Sequence, residues 1–389
     1  MMLTQTTAML VDAYRELNAK KLFWITLVLS GLCVVVFGIT GINEEGITAL
    51  WFTLPIPVNS NIISPELFYK TAFLNLGIGI WLTWIATVLA LVSTAGIFPT
   101  LLTGGQIETM LSKPISRTRL FLTKFITGLL FVGLQVSLFC IASILVIGLR
   151  GGTWMPEILL AIPVVIVFFS FLFCVMTLFG ILTRSTIASL LLTILFWFFL
   201  FILNAADQTL VGIHERVKIE ATTIEARLVL AEKNAALMYI NRAINQGEVV
   251  EDSYQPTQEE LDSVNVFLPL LRDNHEKKST LARKLAPWRN GVFIAKTALP
   301  KTSETVNLLT RFVMSQDDLD AWLSLGAEDD EGSTVDEDTG DVRVSNADVN
   351  RATTKAFNDR SLGWVLGTSL LFEAFVLLIA GLIFARRDF

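Results

Sequence analysis

Six long stretches of apolar residues restrict what this chain can fold into. A helix needs about 20 apolar residues to cross the hydrocarbon core of a bilayer, where its backbone groups must be bonded internally. We therefore predict an all-α membrane protein with six transmembrane helices. The first stretch is expected to remain as a span, because no small-residue cleavage site follows it. The six stretches are Leu22–Ile42, Leu74–Phe98, Phe125–Leu149, Ile158–Thr183, Ile187–Leu203 and Leu362–Ala385.

Charged side chains divide the chain into three regions. Only 17% of the 389 residues are charged, whereas globular chains average about 25%. Of the 30 basic and 36 acidic residues, 18 and 27 lie between Ala205 and Arg360. We predict an N-terminal helix and five spans in residues 1–204, a large, mainly helical insert outside the cytoplasm in residues 205–360, and the sixth span with the C-terminus in residues 361–389.

Basic residues in the short loops predict the orientation, since Lys and Arg are enriched in cytoplasmic loops. Six spans put both termini on one side, and the short segments of that side hold ten basic residues, against Lys70 and Arg150 on the other. We expect a multi-pass protein of the bacterial cytoplasmic (inner) membrane with both termini in the cytoplasm. The ten residues are Arg15, Lys20, Lys21, Lys113, Arg117, Arg119, Lys124, Arg184, Arg386 and Arg387.

The insert begins with a proline-free stretch, Ile213–Gln246, that is typical of a helix. Seven of its apolar residues follow spacings of four and three, which favours coiled-coil packing, and Gly247 then ends the helix. Thr257 and Glu260 have the spacing of a capping box and predict a second helix towards Pro269. We expect a hairpin that packs on itself or on a second copy; the alternative is a single helix along the protein surface. The seven residues are Val217, Ala221, Ile224, Leu228, Ala231, Ala235 and Met238.

Four other segments have weaker patterns. Leu3–Leu17 is expected to lie flat on the lipid of the cytoplasmic leaflet, or else to be a frayed terminus. Prolines in Asn43–Lys70 predict a short re-entrant or surface-lying segment. Pro287–Pro300 is expected to form a small unit packed against the membrane, followed by a short amphipathic helix. The stretch Asp317–Asp348 is acidic and poor in apolar residues, and Gly340 does not lie where a calcium-binding loop needs its glycine. We predict a solvated, disordered loop there.

Several classes of chemistry are disfavoured by the residues available. The three cysteines all lie in apolar stretches, and His214 and His275 are too few and too far apart for a metal cluster. We therefore predict no metal site and no catalytic residues. No G-x-x-x-x-G-K-[ST] pattern is present, so this chain is not expected to bind a nucleotide by that route. Nothing in the pattern favours nucleic acid as a partner.

The segment between the second and third spans is the most informative. From Gly104 it reads G-G-Q-I-E-T-M-L-S-K-P-I-S-R-T-R-L-F-L-T-K, which predicts a glycine break, a short helix ending at Pro114 and a basic turn. A plain alternative is a positive connector bound to phospholipid. The pattern G-x-I-E-x-x-L-S-K-P-I-S-R and the ending F-A-R-R-D-F resemble the type-2 ABC transporter permease family. Within it, the export-type permeases of nitrous-oxide-reductase maturation and gliding motility are most similar; the resemblance covers roughly residues 1–204 and 362–389.

The resemblance implies that this chain is the permease subunit of an ATP-driven exporter, and not itself an enzyme. Residues from about Gln106 to Ser112 would form a coupling helix bound to a separate cytoplasmic ATPase, which holds the ATP and magnesium. Glu108 would face that partner, and a second permease copy or a related permease would complete the transporter. The alternative is an ATPase-driven transducer that acts on an extracytoplasmic protein without moving solute. The candidate coupling residues are Gln106, Ile107, Glu108, Leu111, Lys113, Pro114, Arg117 and Arg119.

One acidic residue, Glu373, lies near the middle of the sixth apolar stretch. An ionisable group at that depth costs roughly 3 kcal/mol or more, so it is expected to face protein or water. Asn75, Thr83 and Gln135 are the polar neighbours that the other spans offer. A structural hydrogen bond and a role in the transport path both remain open.

Overall fold

The structure is a computed structural model. It describes residues 21–54, 59–103, 116–247, 254–315, 317–318, 321, 334–335 and 342–386. The predicted interfacial helix at Leu3–Leu17 and the predicted coupling helix lie outside the described residues. Most of the acidic stretch Asp317–Asp348 also lies outside them, and for those residues the predicted disorder stays a prediction. The described residues of the stretch include two paired strands, Thr334–Val335 and Val342–Arg343, and the start of a helix at Asn346.

Six helices in the described part of the chain are long and apolar enough to cross a membrane. This confirms the coarse prediction of a helical, multi-pass membrane protein. Each predicted apolar stretch overlaps one of them. The helices are α1 (Lys21–Ile39), α2 (Pro65–Leu102), α3 (Arg117–Gly151), α4 (Pro156–Thr183), α5 (Thr186–Asn245) and α10 (Gly363–Arg386).

Helix α5 joins two elements that the sequence analysis kept apart. The predicted fifth span and the predicted helix from Ile213 form one continuous helix of 60 residues. The stretch between them has no proline, and its Gly212 costs a helix only about 1 kcal/mol relative to alanine. Helical bonding therefore continues through the change from apolar to charged sequence. The helix ends before Gly247, whose φ of 85° suits glycine.

A small sheet follows α1, where a re-entrant or surface-lying segment was expected. Strands β1 (Thr40–Asn43), β2 (Gly46–Ala49) and β3 (Phe52–Leu54) pair antiparallel in that order. The Asn43 side chain accepts hydrogen bonds from the backbone N–H groups of Glu45 and Gly46, at 3.0 and 2.9 Å. This Asx-type turn ends the extended strand and starts the hairpin. The prolines of the loop lie after these strands, which is why they do not prevent them.

The described chain separates into two compact units. The first lies within residues 1–202, 296–319 and 361–389, and the second within 203–295 and 320–360. Residues 296–319 belong to the insert in sequence but pack with the membrane-spanning helices. Their helix α8 (Thr302–Val313) buries Leu308, Leu309 and Val313 and lies against α4. The predicted amphipathic helix after Pro300 is confirmed.

The core of the first unit is built around α4, the most buried of the six long helices. Phe168, Phe169, Phe171 and Phe173 are each at most 1% exposed. Phe173 stacks on Phe125 of α3, with ring centroids 5.0 Å apart. These phenylalanines therefore lie at the centre of the bundle, where α4 packs against neighbouring helices on several sides.

The second unit contains the predicted hairpin. Helices α6 (Gln258–Val264) and α7 (Leu268–Thr297) follow α5, and Leu261 and Leu268 pack on Ala235. The capping box of Thr257 and Glu260 is present. Helix α7 continues through Pro287, so the separate packed unit expected from there is not formed. The remaining elements are β4 (Thr334–Val335), β5 (Val342–Arg343) and α9 (Asn346–Asn358).

Candidate functional site

The candidate coupling segment is flanked by well-defined helix ends. Six of its eight predicted residues, from Gln106 to Pro114, lie outside the described residues. The other two, Arg117 and Arg119, form the first turn of α3. Ser116 caps this turn, because its side chain accepts a hydrogen bond from the backbone N–H of Arg119 at 3.3 Å. The segment thus ends at a fixed helix start.

Three helices meet beside that helix start. Phe98 of α2, Phe121 of α3 and Phe384 of α10 form a chain of ring contacts, with centroids 5.4 and 5.9 Å apart. All three rings are at most 2% exposed. We call these residues the aromatic cluster. Buried aromatic pairs of this kind contribute about 0.5–1.5 kcal/mol beyond their area, so the three helix ends are held together.

Arg117 adds a polar contact at the same place. Its guanidinium donates a hydrogen bond to the backbone oxygen of Ala385, at 3.3 Å. A cation at the C-terminal end of α10 is favourable, because the last carbonyl groups of a helix carry partial negative charge. Arg117 is one of the candidate coupling residues that the resemblance implies. In the structure it connects the start of α3 to the end of α10.

A glycine brings α4 close to the same end of the bundle. A Cβ at Gly180 would lie 3.2 Å from Cδ of Pro99 in α2 and 3.7 Å from Cβ of Phe98. Only a residue without a side chain fits there without displacing α2. Four helix ends therefore lie close together beside Ser116.

The buried acid in the first unit has a partner that the sequence analysis did not consider. Ser170 Oγ of α4 lies 2.9 Å from Oε2 of Glu373 in α10, and Glu373 is 7% exposed. Ser170 Oγ also lies 2.8 Å from the backbone oxygen of Val167. A hydroxyl has one proton, so it donates to one of these acceptors at a time. A lone serine in a run of phenylalanines was the only available signal for this pairing.

The two other predicted intramembrane residues have different surroundings. Asn75 is exposed and donates from Nδ2 to the backbone oxygen of Thr71, one turn earlier in α2. Gln135 is 8% exposed. Its Nε2 has no hydrogen-bond partner among the described residues.

Sequence reasoning also missed a buried lysine, Lys301, which precedes α8 and contacts the start of α10. Lys301 is 1% exposed, and its Nζ donates to the backbone oxygens of Thr297 and Leu299, both at 2.9 Å. It also donates to Thr368 Oγ1 and lies 4.8 Å from the ring centroid of Trp364. Burial lowers the pKa of Lys301 to about 8. A lysine beside a proline in a polar segment gave no sign of this environment.

Two further ion pairs attach parts of the insert within the first unit. Lys296 and Glu304 form a pair in which both side chains are 5% exposed. Lys70 of α2 pairs with Asp318 at 2.8 Å and with Glu66 at 2.7 Å. Burial raises the pKa of Asp318, but hydrogen bonds from Lys70 and Ser315 have the larger combined effect. The pKa of Asp318 is therefore lower than its ordinary value. The Lys70–Asp318 pair attaches the end of this segment to α2, whereas the Lys296–Glu304 pair joins two residues within the segment.

Comparison of the chain with family models, with curated proteins and with solved structures gave no match. Within the described ranges, no group of three or more His, Cys, Asp or Glu residues is arranged to hold a metal ion. Any assignment of function therefore depends on the chain's own residues and on the resemblance stated above.

Proposed function

We propose that this protein is the permease subunit of an ATP-driven exporter of the type-2 ABC transporter family. The observation that carries the proposal is the motif from Gly104 to Lys124, between the second and third of six apolar helices. A separate cytoplasmic ATPase binds this segment, with Glu108 facing it. The protein resides in the bacterial cytoplasmic membrane with both termini in the cytoplasm.

The contacts beside the segment support such a role. A force applied before Ser116 reaches α3 directly. It reaches α2 and α10 through the aromatic cluster and through the hydrogen bond from Arg117 to Ala385. Closure of the ATPase on nucleotide would thus move several helix ends together rather than bend one loop. Discrete, well-packed arrangements of helices are what alternating access requires.

A second permease copy, or a related permease, completes the transporter in this proposal. With six spans, this chain supplies one half of such a machine. Movement of the two halves would expose their central interface alternately to the two sides of the membrane.

The test is whether a cytoplasmic ABC ATPase of the host cell co-purifies with this chain. Glu108→Lys, and separately deletion of residues 106–112, should abolish binding of that ATPase while membrane insertion is unchanged. Glu45→Lys is the matched control, since Glu45 is exposed in the turn between β1 and β2. Equal recovery of the ATPase with the deletion variant and with the wild type would refute the coupling assignment.

One observation favours the alternative, a transducer that moves no solute. Part of the insert forms a compact unit of its own, with α5 and α7 joined by ion pairs such as Lys278–Glu220 at 2.7 Å. A unit of this kind suits the binding of an extracytoplasmic protein. An exporter gains no evident advantage from it.

A shortened hairpin distinguishes the two functions. Because Glu220 and Lys278 face each other, residues 221–277 can be replaced by a short Gly-Ser turn without moving the base of the hairpin. An exporter should keep transport and ATP turnover in this variant. A transducer should keep ATP turnover and lose the response of its extracytoplasmic partner.

A further inference from the structure

Helix α2 contains a wide-turned segment in the middle of the membrane-spanning unit. Residues Phe73–Ala86 form a π-helix of 14 residues, and α-helical bonding resumes at Thr87. The hydroxyl of Thr87 donates to the backbone oxygen of Leu82, five residues earlier, at 2.7 Å. π-Helical turns are rare and occur often at functional sites. In membranes, irregular backbone is tolerated where it lines a cavity.

A small cavity lies at this junction. It has a volume of about 20 Å³, is open on one side, and is lined by residues of α1, α2, α3 and α4. Its polar lining consists of Thr26, Ser30, Thr87 and Gln135. Ser30 and Gln135 lie near the middle of α1 and α3, which places the cavity far from both ends of these helices. No charged side chain lines it.

Two of the four polar side chains at the cavity, Gln135 and Ser30, make no hydrogen bond with the described part of the chain. Gln135 Nε2 is buried and has no partner, and Ser30 Oγ makes no hydrogen bond within the described part of the chain. The hydroxyls of Thr26 and Thr87 donate to backbone oxygens of their own helices, which leaves their oxygen lone pairs free to accept. An amide N–H left without a partner in an apolar surrounding is unfavourable.

We propose that this cavity binds one water molecule, which accepts from Gln135 Nε2 and donates to Ser30 and to one threonine hydroxyl. A buried water needs about 10–15 Å³ of accessible volume and two to four polar partners. The cavity meets both conditions. It is too small for a larger ligand, and its uncharged lining does not suit an ion. The water joins α1 to α3 through Ser30 and Gln135, and reaches α2 when the threonine is Thr87. The site does not depend on the transport proposal.

Radiolytic hydroxyl-radical labelling of the full-length protein in lipid nanodiscs tests this. Radicals formed from a bound water modify side chains beside it, even when these are closed to bulk solvent. Val132 and Val136 line the cavity and are each 4% exposed. Val175 of α4 is also 4% exposed and does not line it. We expect the labelling rates of Val132 and Val136 to exceed that of Val175 several-fold. Equal rates would show a dry cavity and overturn the proposal.

Variants identify the groups that hold the water. Gln135→Leu removes the donor, and we expect the rates at Val132 and Val136 to fall to that of Val175. Ser30→Ala removes one acceptor with little change of volume and should lower both rates. Ser137→Ala is the control, because its hydroxyl bonds to the Gly133 oxygen of its own helix, and it should change neither. If Gln135→Leu folds, wild-type labelling rates at Val132 and Val136 in that variant would overturn the assignment. If it does not fold, wild-type rates in Ser30→Ala would do so.

Discussion

The two chain segments that enter and leave the insert are connected by a buried ion pair. Arg360 donates to both carboxylate oxygens of Asp207, at 2.8 and 3.1 Å, and their side chains are 10% and 1% exposed. The guanidinium also lies 4.4 Å from the ring centroid of Phe357. Asp207→Asn leaves the Arg360 charge buried without its counter-ion. The free energy of opening the second unit should therefore fall markedly in this variant.

The structure gives the size of the effect. Removing one partner of a buried ion pair costs about 3–5 kcal/mol, and the asparagine oxygen still accepts one hydrogen bond, so we expect about 3 kcal/mol. Since 1.4 kcal/mol is tenfold in an equilibrium, local opening should become roughly 100-fold more frequent. Asp273→Asn is the control, because it breaks an exposed ion pair with Lys277 in which the side chains are 52% and 69% exposed. Loss of such a pair should lower the free energy of unfolding by at most about 1 kcal/mol.

Amide hydrogen exchange measures the opening directly. Peptides around Asp207 and from α9 should exchange roughly 100-fold faster in Asp207→Asn, and almost unchanged in Asp273→Asn. Replacing both partners, as Asp207→Leu with Arg360→Met, should restore much of the protection, because a well-packed apolar pair is often neutral. Exchange in Asp207→Asn no faster than in Asp273→Asn would refute the reasoning.

Three further predictions concern titratable groups. Burial lowers the pKa of Lys301 from 10.5 to about 8, so between these pH values the unfolded chain binds more protons than the folded chain. The unfolding temperature should therefore rise with pH in this range. In Lys301→Met this rise should be absent. Hydrogen bonds from Tyr254, Thr257 and Tyr239 lower the pKa of Glu260 from 4.5 to about 2, so its contribution should be lost as pH falls through that window. Glu260→Gln should remove this acid sensitivity, and an unchanged acid transition would contradict the assignment. Glu373→Gln keeps an acceptor for the Ser170 hydroxyl and should change stability by no more than about 1 kcal/mol; loss of transport in this folded variant would assign the carboxyl a role beyond its hydrogen bond.

Membrane helices were predictable because the cost of exposing polar backbone to lipid leaves few alternatives. An apolar stretch is sufficient to identify such a helix, and all six are confirmed as helices of suitable length. Their ends were less well predicted. The first helix ends at Ile39, where strand β1 begins, although the apolar stretch continues to Ile42. Apolarity marks what can enter a membrane but does not distinguish helix from strand at its edge.

Helix α5 illustrates the opposite error. The change in composition near Ala205 was interpreted as the end of a helix, yet the backbone continues to Asn245 without interruption. Helix ends are set by proline, glycine and capping residues, not by polarity. The capping box at Thr257 was predictable for this reason, since its signal is local in sequence.

Long-range contacts of the candidate sites were the least predictable. The Glu373–Ser170 bond joins residues 203 positions apart, and the contact of Arg117 with Ala385 spans 268. Neither side chain carries a local pattern that selects its partner. The pair between Lys70 and Asp318, which attaches part of the insert to α2, joins residues 248 positions apart. Both residues look like ordinary surface charges in the sequence.

Coupling to a cytoplasmic ATPase requires the start of α3 to face the cytoplasm and the insert to face the exterior. Impermeant thiol labelling of intact cells measures this orientation directly. In a chain with Cys33, Cys140 and Cys174 replaced, single cysteines are introduced at Thr118 and Asn290, which are both exposed. We predict that the cysteine at 290 is labelled in intact cells and the one at 118 only after permeabilisation. Labelling of both from the same side, or in the reverse order, would contradict the proposed coupling to a cytoplasmic ATPase.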